Sequence, residues 1–153
     1  MSDSHLVDEN DAPAAEAAVD EDREGSRLAE QIAEAAWDRK ALDLKIMDVR
    51  KLVSYADYFV ICSGRSDRQV QAIAQNITDE LREYGFRPLG VEGQAHGMWV
   101  LMDYGDIIVH IFHLSEREEY GLEQIWKDAP RIDIEVPEGL TTDRDAEGQY
   151  ASP

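Results

Sequence analysis

The chain has 153 residues, 33 Asp and Glu against 15 Lys and Arg, a formal net charge of -18 and a hydrophobic fraction of 43%. That length suits one domain with tails, and a domain of this size buries roughly two-thirds of its unfolded surface. The acid excess argues against autonomous binding to phosphate backbones, which depends on neutralisation by Lys and Arg. Apolar runs are short, Tyr58–Cys62 and Met98–Met102 being the longest, whereas a spanning helix needs about 20 residues. No membrane segment is therefore expected. The N-terminus carries neither a basic nor an apolar signal region, so no secretory signal is expected either. Cys62 is the single cysteine and forms no internal disulfide, which fits a reducing cytoplasm.

Charge divides the chain into three parts. Residues 1–24 carry nine acids and one base, and residues 131–153 carry six acids and two bases. Like charge with little apolar surface does not repay the entropy of ordering. The ends, residues 1–25 and 132–153, therefore read as disordered acidic tails around a domain over 26–131. Solubility accounts for such tails; an arm for a basic partner is the alternative.

In chain order, Ser26 is a candidate N-cap for a helix to about Arg39, with Leu28, Ile32, Ala35 and Ala36 at helical spacing. Leu44–Val49 alternates as a strand, and Tyr58–Cys62 reads as a buried strand ending at Ser63-Gly64. Ser66 and Gln69 form a capping box for a helix with Val70, Ile73, Ala74, Ile77, Leu81 and Tyr84 on one stripe. Gly85 closes that helix. Pro88–Val91 suits a short edge strand. Met98–Met102 and Ile107–Phe112 flank Asp103-Tyr104-Gly105-Asp106, a tight hairpin with Gly second of the two central residues. Ser115 with Glu118 opens a last helix through Leu122, Ile125 and Trp126, ending before Pro130. This order predicts an α/β (α+β) fold, a single mixed sheet of about five strands packed with helices.

Three groupings invite an enzymatic reading. Cys62-Ser63-Gly64-Arg65-Ser66 puts a small-residue turn before a helix N-terminus, a place for phosphate. It has one glycine and lacks the lysine of a P-loop, so a turn-and-cap role accounts for it. Asp103 and Asp106, with Asp57, suggest Mg²⁺, but their spacing is i, i+3 across a turn and turn chemistry explains them. His110 and His113 point to opposite faces of a strand and cannot share an ion. His110 lies on a face with Ile108 and Phe112 and reads as a hydrogen-bonded, partly buried histidine. Cys62 reads as a packed, inert thiol. No catalytic residue, metal or cofactor is assigned. Trp99, with Tyr104 and Tyr120 nearby in sequence, suits either core or the centre of a protein interface. Acids around it (Asp103, Asp106, Glu116, Glu118, Glu119) would complement a basic surface.

The run Tyr55-Ala56-Asp57-Tyr58-Phe59-Val60-Ile61-Cys62-Ser63-Gly64-Arg65-Ser66 resembles the first signature of the ribosomal silencing factor family, also called Iojap. Gly90-Val91-Glu92-Gly93, Trp99 and Asp103–His110 resemble its second. Glu116–Tyr120 and Leu122–Trp126 resemble its C-terminal helix. The resemblance covers 26–128 in order. The Gly97-Met98 pair before Trp99 departs from it, since many members have a polar or acidic residue there.

The resemblance implies a translational repressor and not an enzyme. Such a protein binds ribosomal protein fourteen of the large ribosomal subunit and sterically blocks joining with the small subunit. Assembly of the large subunit is the alternative role. A nucleotidyltransferase-like fold without catalytic residues is implied, with a possible homodimer when free. Partner contacts carry over to Trp99 and Tyr120, and Asp103, Asp106, Glu116 and Tyr104 complete the candidate surface. The basic ribosomal protein is the expected landing site, with little direct nucleic-acid contact. A nucleotide-binding enzyme using Ser63-Gly64 and Asp103/Asp106 is the rival from another class.

Overall fold

The structure, a computed structural model, describes residues 25–121, 124, 127, 129–132 and 134–137. Helix α1 (residues 25–37) buries Ala29, Ile32, Ala33, Ala35, Ala36 and Trp37. Gly25 is already helical, so Ser26 sits inside this helix and is not its cap. Strands β1 (Leu42–Asp48) and β2 (Tyr58–Gly64) follow and pair antiparallel, with a bulge between Leu42 and Lys45. A bulge inserts an extra residue and re-aims the side chains around it. Asp43 lies within it at φ +51°.

Helix α2 (Asp67–Glu83) starts where its caps dictate: Ser66 Oγ accepts from Gln69 N at 3.1 Å. Gln69 does not return the bond to Ser66 as a capping box would. Its Oε1 accepts from Arg65 N at 2.6 Å, and its Nε2 donates to the Arg39 and Lys40 carbonyls at 3.0 and 3.1 Å. One side chain thus caps α2 and fastens it to the turn after α1. Val70, Ile73, Ala74, Ile77 and Leu81 are buried on the expected stripe, and each fully buried Ile or Leu contributes about 2 kcal/mol. Tyr84 leaves the stripe; it is the C-cap and is 62% exposed. Gly85, at φ +93°, donates to Arg82 O while Phe86 N donates to Leu81 O. That is the Schellman pairing, which needs a left-handed residue.

Strands β3 (Gly90–Glu92), β4 (Trp99–Asp103) and β5 (Ile107–His113) run antiparallel in sequence. Asp103 faces Ile108 and Tyr104 N donates to Ile107 O at 2.9 Å. The central turn residues are therefore Gly105 and Asp106, one position later than expected. Gly105, at φ +91°, comes first, as a II′ hairpin requires. Helix α3 (Leu114–Tyr120) is capped by His113, whose Nδ1 accepts from Ser115 N at 3.1 Å, and not by Ser115. It closes at Gly121 in the left-handed region. Leu122, Ile125 and Trp126, expected on this helix, lie outside the described residues, as do 1–24 and 138–153.

Strand β6 (Arg131–Ile132) adds itself to β1, with Ile46 opposite Ile132. The sheet therefore has six strands, ordered β3-β4-β5-β2-β1-β6. Two residues carry no readable alternation, so β6 was not expected. Residue 131, the expected domain boundary, falls inside it, and Ile132, Ile134 and Val136 pack on the main core. Only β2 and β5 are parallel, and α2 with the β3–β4 excursion supplies the crossover that a parallel pair needs. The fold is thus α+β on one mixed sheet. Its first face packs Leu44, Ile46, Tyr58, Val60, Cys62, Val100, Met102, Val109 and Ile111 against α1 and α2. The second face carries Met47, Phe59, Ile61, Ile108 and Phe112, with Val53, Trp99 and Leu101 partly buried beside them.

Candidate functional site

Strand alternation builds the site. On β4, Trp99, Leu101 and Asp103 alternate with the core residues Val100 and Met102, so all three project from the second face and stay half-buried. On β5, Ile108, His110 and Phe112 share that face, and β2 contributes Phe59 and Ile61. Trp99 lies directly opposite Phe112, with ring centroids 5.1 Å apart and planes at 27°. Phe59 meets His110 edge-on at 5.0 Å, and Tyr55 lies 6.3 Å from Phe59. Tyr55 is exposed at the margin of this aromatic cluster.

His110 is buried within it, and the indole Nε1–H of Trp99 donates to its Nδ1 at 3.2 Å. An accepting Nδ1 places the proton of the neutral ring on Nε2. Burial pulls the imidazole down to about 4, so the ring is neutral at physiological pH. The expectation of a buried, hydrogen-bonded histidine thus acquires its partner.

The candidate contact residues do not form one patch. Helix α3 starts where β5 ends, and His113 N donates to Met98 O at 2.8 Å. Glu116, in the first turn of α3, and Tyr120, its last residue, therefore follow directly from the Trp99 end of the sheet. The side chain of Tyr120 lies outside the described residues. Asp103 shares the face of Trp99 but lies four residues along the strand, about 13 Å away at a rise of roughly 3.3 Å per residue. Its Oδ1 accepts from Gly105 N at 2.8 Å, a turn-forming bond. Asp106 is exposed at the same end, and its carbonyl accepts from Asp57 N and Tyr58 N. Tyr104 packs against the first face, and burial pushes its hydroxyl up. The start of α3 thus lies next to Met98, Asp103 and Asp106 mark the far end of the hairpin, and Tyr104 belongs to the opposite side.

The residues considered for phosphate and metal have other occupations. Ser63 Oγ accepts from buried Arg117 at 2.7 Å. A Cβ on Gly64 would sit 3.0 Å from Val70 N, so close packing of strand on helix explains this glycine. Cys62 is fully buried, and desolvation pushes its thiol up to about 12 against the opposing pull of Arg117. Among the described residues no group of three His, Cys, Asp or Glu side chains converges for a metal, and no helix is long and apolar enough to cross a membrane. Alternation shows Ile108, His110 and Phe112 on one face of β5, but the stacking of Phe112 on Trp99 follows from strand pairing and carried no local signal. Arg117 carried no signal, because a lone arginine in an acid-rich helix reads as solvated.

Comparison with known proteins adds the lineage. The family model described as "Ribosomal silencing factor during starvation" matches residues 21–152. The chain is 46% identical over 103 residues to ribosomal silencing factor RsfS of Bacillus subtilis, covering 67% of this chain and 87% of that protein. It is 39% identical over 99 residues to RsfS of Haemophilus influenzae, covering 65% of this chain and 97% of that protein. A crystal structure from Bacillus halodurans superposes with a TM-score of 0.64 at 35% identity, covering 71% of this chain and 99% of that one. An X-ray structure from Chromobacterium violaceum gives 0.66 at 32%, covering 74% and 95%. On a match that spans the helices, the sheet and the aromatic face, this chain belongs to the ribosomal silencing factor family.

Proposed function

We propose that this chain represses translation by docking on the large ribosomal subunit and sterically keeping the small subunit from joining. Membership of the silencing-factor family over residues 21–152 is the observation that carries this reading. The half-buried Trp99, stacked on Phe112 and next to the start of α3, supports the second sheet face as the docking surface. Trp99 and Tyr120 serve as anchors, with Glu116 beside them and Asp103 and Asp106 as an acidic rim; Tyr104 supports the hairpin from behind. The partner is a basic ribosomal protein, ribosomal protein fourteen by the family resemblance, because acids at the rim steer and register a basic surface. No bond is made or broken in this mechanism. The acidic ends serve solubility, and the free chain pairs with a copy of itself, a state that sedimentation equilibrium measures.

Sucrose-gradient sedimentation with purified subunits tests the reading. The chain should co-migrate with the large subunit and deplete the joined particle. A folded Trp99→Ala, Tyr120→Ala double variant should bind at least about 30-fold more weakly, since an aromatic anchor is worth about 2 kcal/mol or more. Undiminished binding by that variant would remove the site assignment.

A second reading, assistance in assembly of the large subunit, draws on one relative. Mouse "Mitochondrial assembly of ribosomal large subunit protein 1" is 30% identical over 89 residues, which cover 39% of that protein. Enrichment of the chain on precursor particles over mature subunits would favour it.

A further inference from the structure

We propose that His110 is a positioning residue for the docking surface, holding the Trp99 indole by its Nε1–H and fixing the plane in which that ring meets the partner. The inference rests on the reading of Trp99 as an anchor and adds a residue that does not itself need to touch the ribosome.

The geometry is cross-strand. Trp99 faces Phe112 and Leu101 faces His110, so His110 is the diagonal neighbour of Trp99 on the same face, within reach of an aromatic side chain. The indole nitrogen meets Nδ1 at 3.2 Å with ring centroids 6.0 Å apart. The imidazole is itself held. It lies nearly parallel to Phe112, at 9° and 6.2 Å, and edge-on to Phe59, at 5.0 Å. It therefore acts as a fixed acceptor.

Core stability does not account for a histidine here. His110 is 5% exposed, on a face it shares with the apolar Ile108 and Phe112 of its own strand and Phe59 and Ile61 of β2. Its Nε2 has no hydrogen-bond partner among the described residues. A buried polar group with half its capacity unused costs free energy that an isoleucine would not. The use the structure makes of the ring is the bond to Trp99. A half-buried indole so held has fewer orientations to lose on docking, and such preorganisation raises affinity without adding a contact.

Two measurements decide the matter. In the wild-type protein, long-range ¹H–¹⁵N spectra read the tautomer of His110, and the indole resonance of Trp99, assigned with Trp99→Phe, is followed for solvent exchange. The proposal expects the Nε2–H tautomer and a slowly exchanging indole proton; an Nδ1–H tautomer would overturn it and requires no variant to fold. The second measurement compares His110→Phe, which keeps a ring but loses the acceptor, with His110→Asn, whose Oδ1 stands near the position of Nδ1. The expected result is a displaced, faster-exchanging Trp99 resonance and about tenfold weaker large-subunit binding in His110→Phe, both largely restored in His110→Asn. Wild-type binding by a folded His110→Phe, in a preparation where Trp99→Ala does lose binding, would overturn the positioning role. Wild-type binding by Trp99→Ala would instead overturn the anchor reading and with it the effect of His110 on docking.

Discussion

Arg117 and Asp43 form a buried ion pair that ties helix α3 to the bulge of strand β1. The guanidinium is 1% and the carboxylate 0% exposed, and Nη2 lies 3.3 Å from Oδ2. Arg117 also donates to the Asp43 carbonyl at 2.8 Å and to Ser63 Oγ at 2.7 Å, while Lys45 Nζ holds the other carboxylate oxygen at 2.7 Å. Both charges are thus hydrogen-bonded out of water, the condition under which a buried pair holds together. Arg117→Met keeps the apolar stem but removes the guanidinium from the buried carboxylate. Urea unfolding should register a loss of about 3 kcal/mol; a loss below about 1 kcal/mol would mean that α3 is held by other contacts.

Gly97 lies just before Trp99, and its surroundings explain why a glycine stands there. Its φ is +71°, and an added Cβ would lie 2.7 Å from the Asp67 carbonyl oxygen at the start of α2. The flanking turn is fastened to α2 as well, since Gln71 Nε2 donates to the Gln94 and Ala95 carbonyls at 2.9 Å. Gly97→Ala adds left-handed strain of about 1–2 kcal/mol to a contact with rigid backbone. A thermal melt should fall by several degrees or more, with Gly105→Ala, where a Cβ meets nothing within 4 Å, as the control that carries the conformational strain without the clash.

His110 makes stability depend on pH. Its folded value is lowered from 6.5 to about 4 by burial, so the unfolded chain takes up a proton before the folded one does. The contribution is intact above pH 6.5, declines as pH falls from 6.5 to 4, and changes no further below that. The total is on the order of 3 kcal/mol. Carboxylates titrate in the same range, so the diagnostic is the difference between the wild type and His110→Asn. That difference should change by this amount across the window; a constant difference would contradict a neutral, buried ring.

Cys62 should be unreactive in the folded protein. Its thiol is pushed up to about 12 and has no exposed surface, whereas the nucleophile in thiol chemistry is the thiolate. Ellman's reagent at pH 8 should therefore detect no thiol in buffer and one per chain in guanidinium chloride. Prompt labelling of the native chain would show that the strand β2 region opens readily.

Much of the fold is readable locally. The β1 segment follows from alternation and the β2, β4 and β5 segments from short apolar runs bounded by turn residues, and α2 begins and ends where Ser66 and Gly85 require. Where expectation and structure part, a competing local partner is responsible. His113 outcompetes Ser115 as the cap of α3, and the hairpin shifts by one residue so that Gly105 takes the left-handed first position. The two-residue β6 is too short to carry a pattern and exists through its pairing with β1.

The sequence by itself determined the elements, the hydrophobic stripe of α2 and, through its signatures, the lineage. These depend on neighbours within about one helical turn or one strand repeat. The candidate surface belongs to tertiary structure. Alternation puts Trp99 and Tyr104 on opposite faces, but only the packing of α1 and α2 decided that the face of Tyr104 is covered and that of Trp99 is not. Chain folding also joined Arg117 to Asp43 across 74 positions and Trp99 to His110 across 11. A buried polar side chain is stable only beside its partner, and no local pattern in the chain specifies which distant residue the sheet will bring to it.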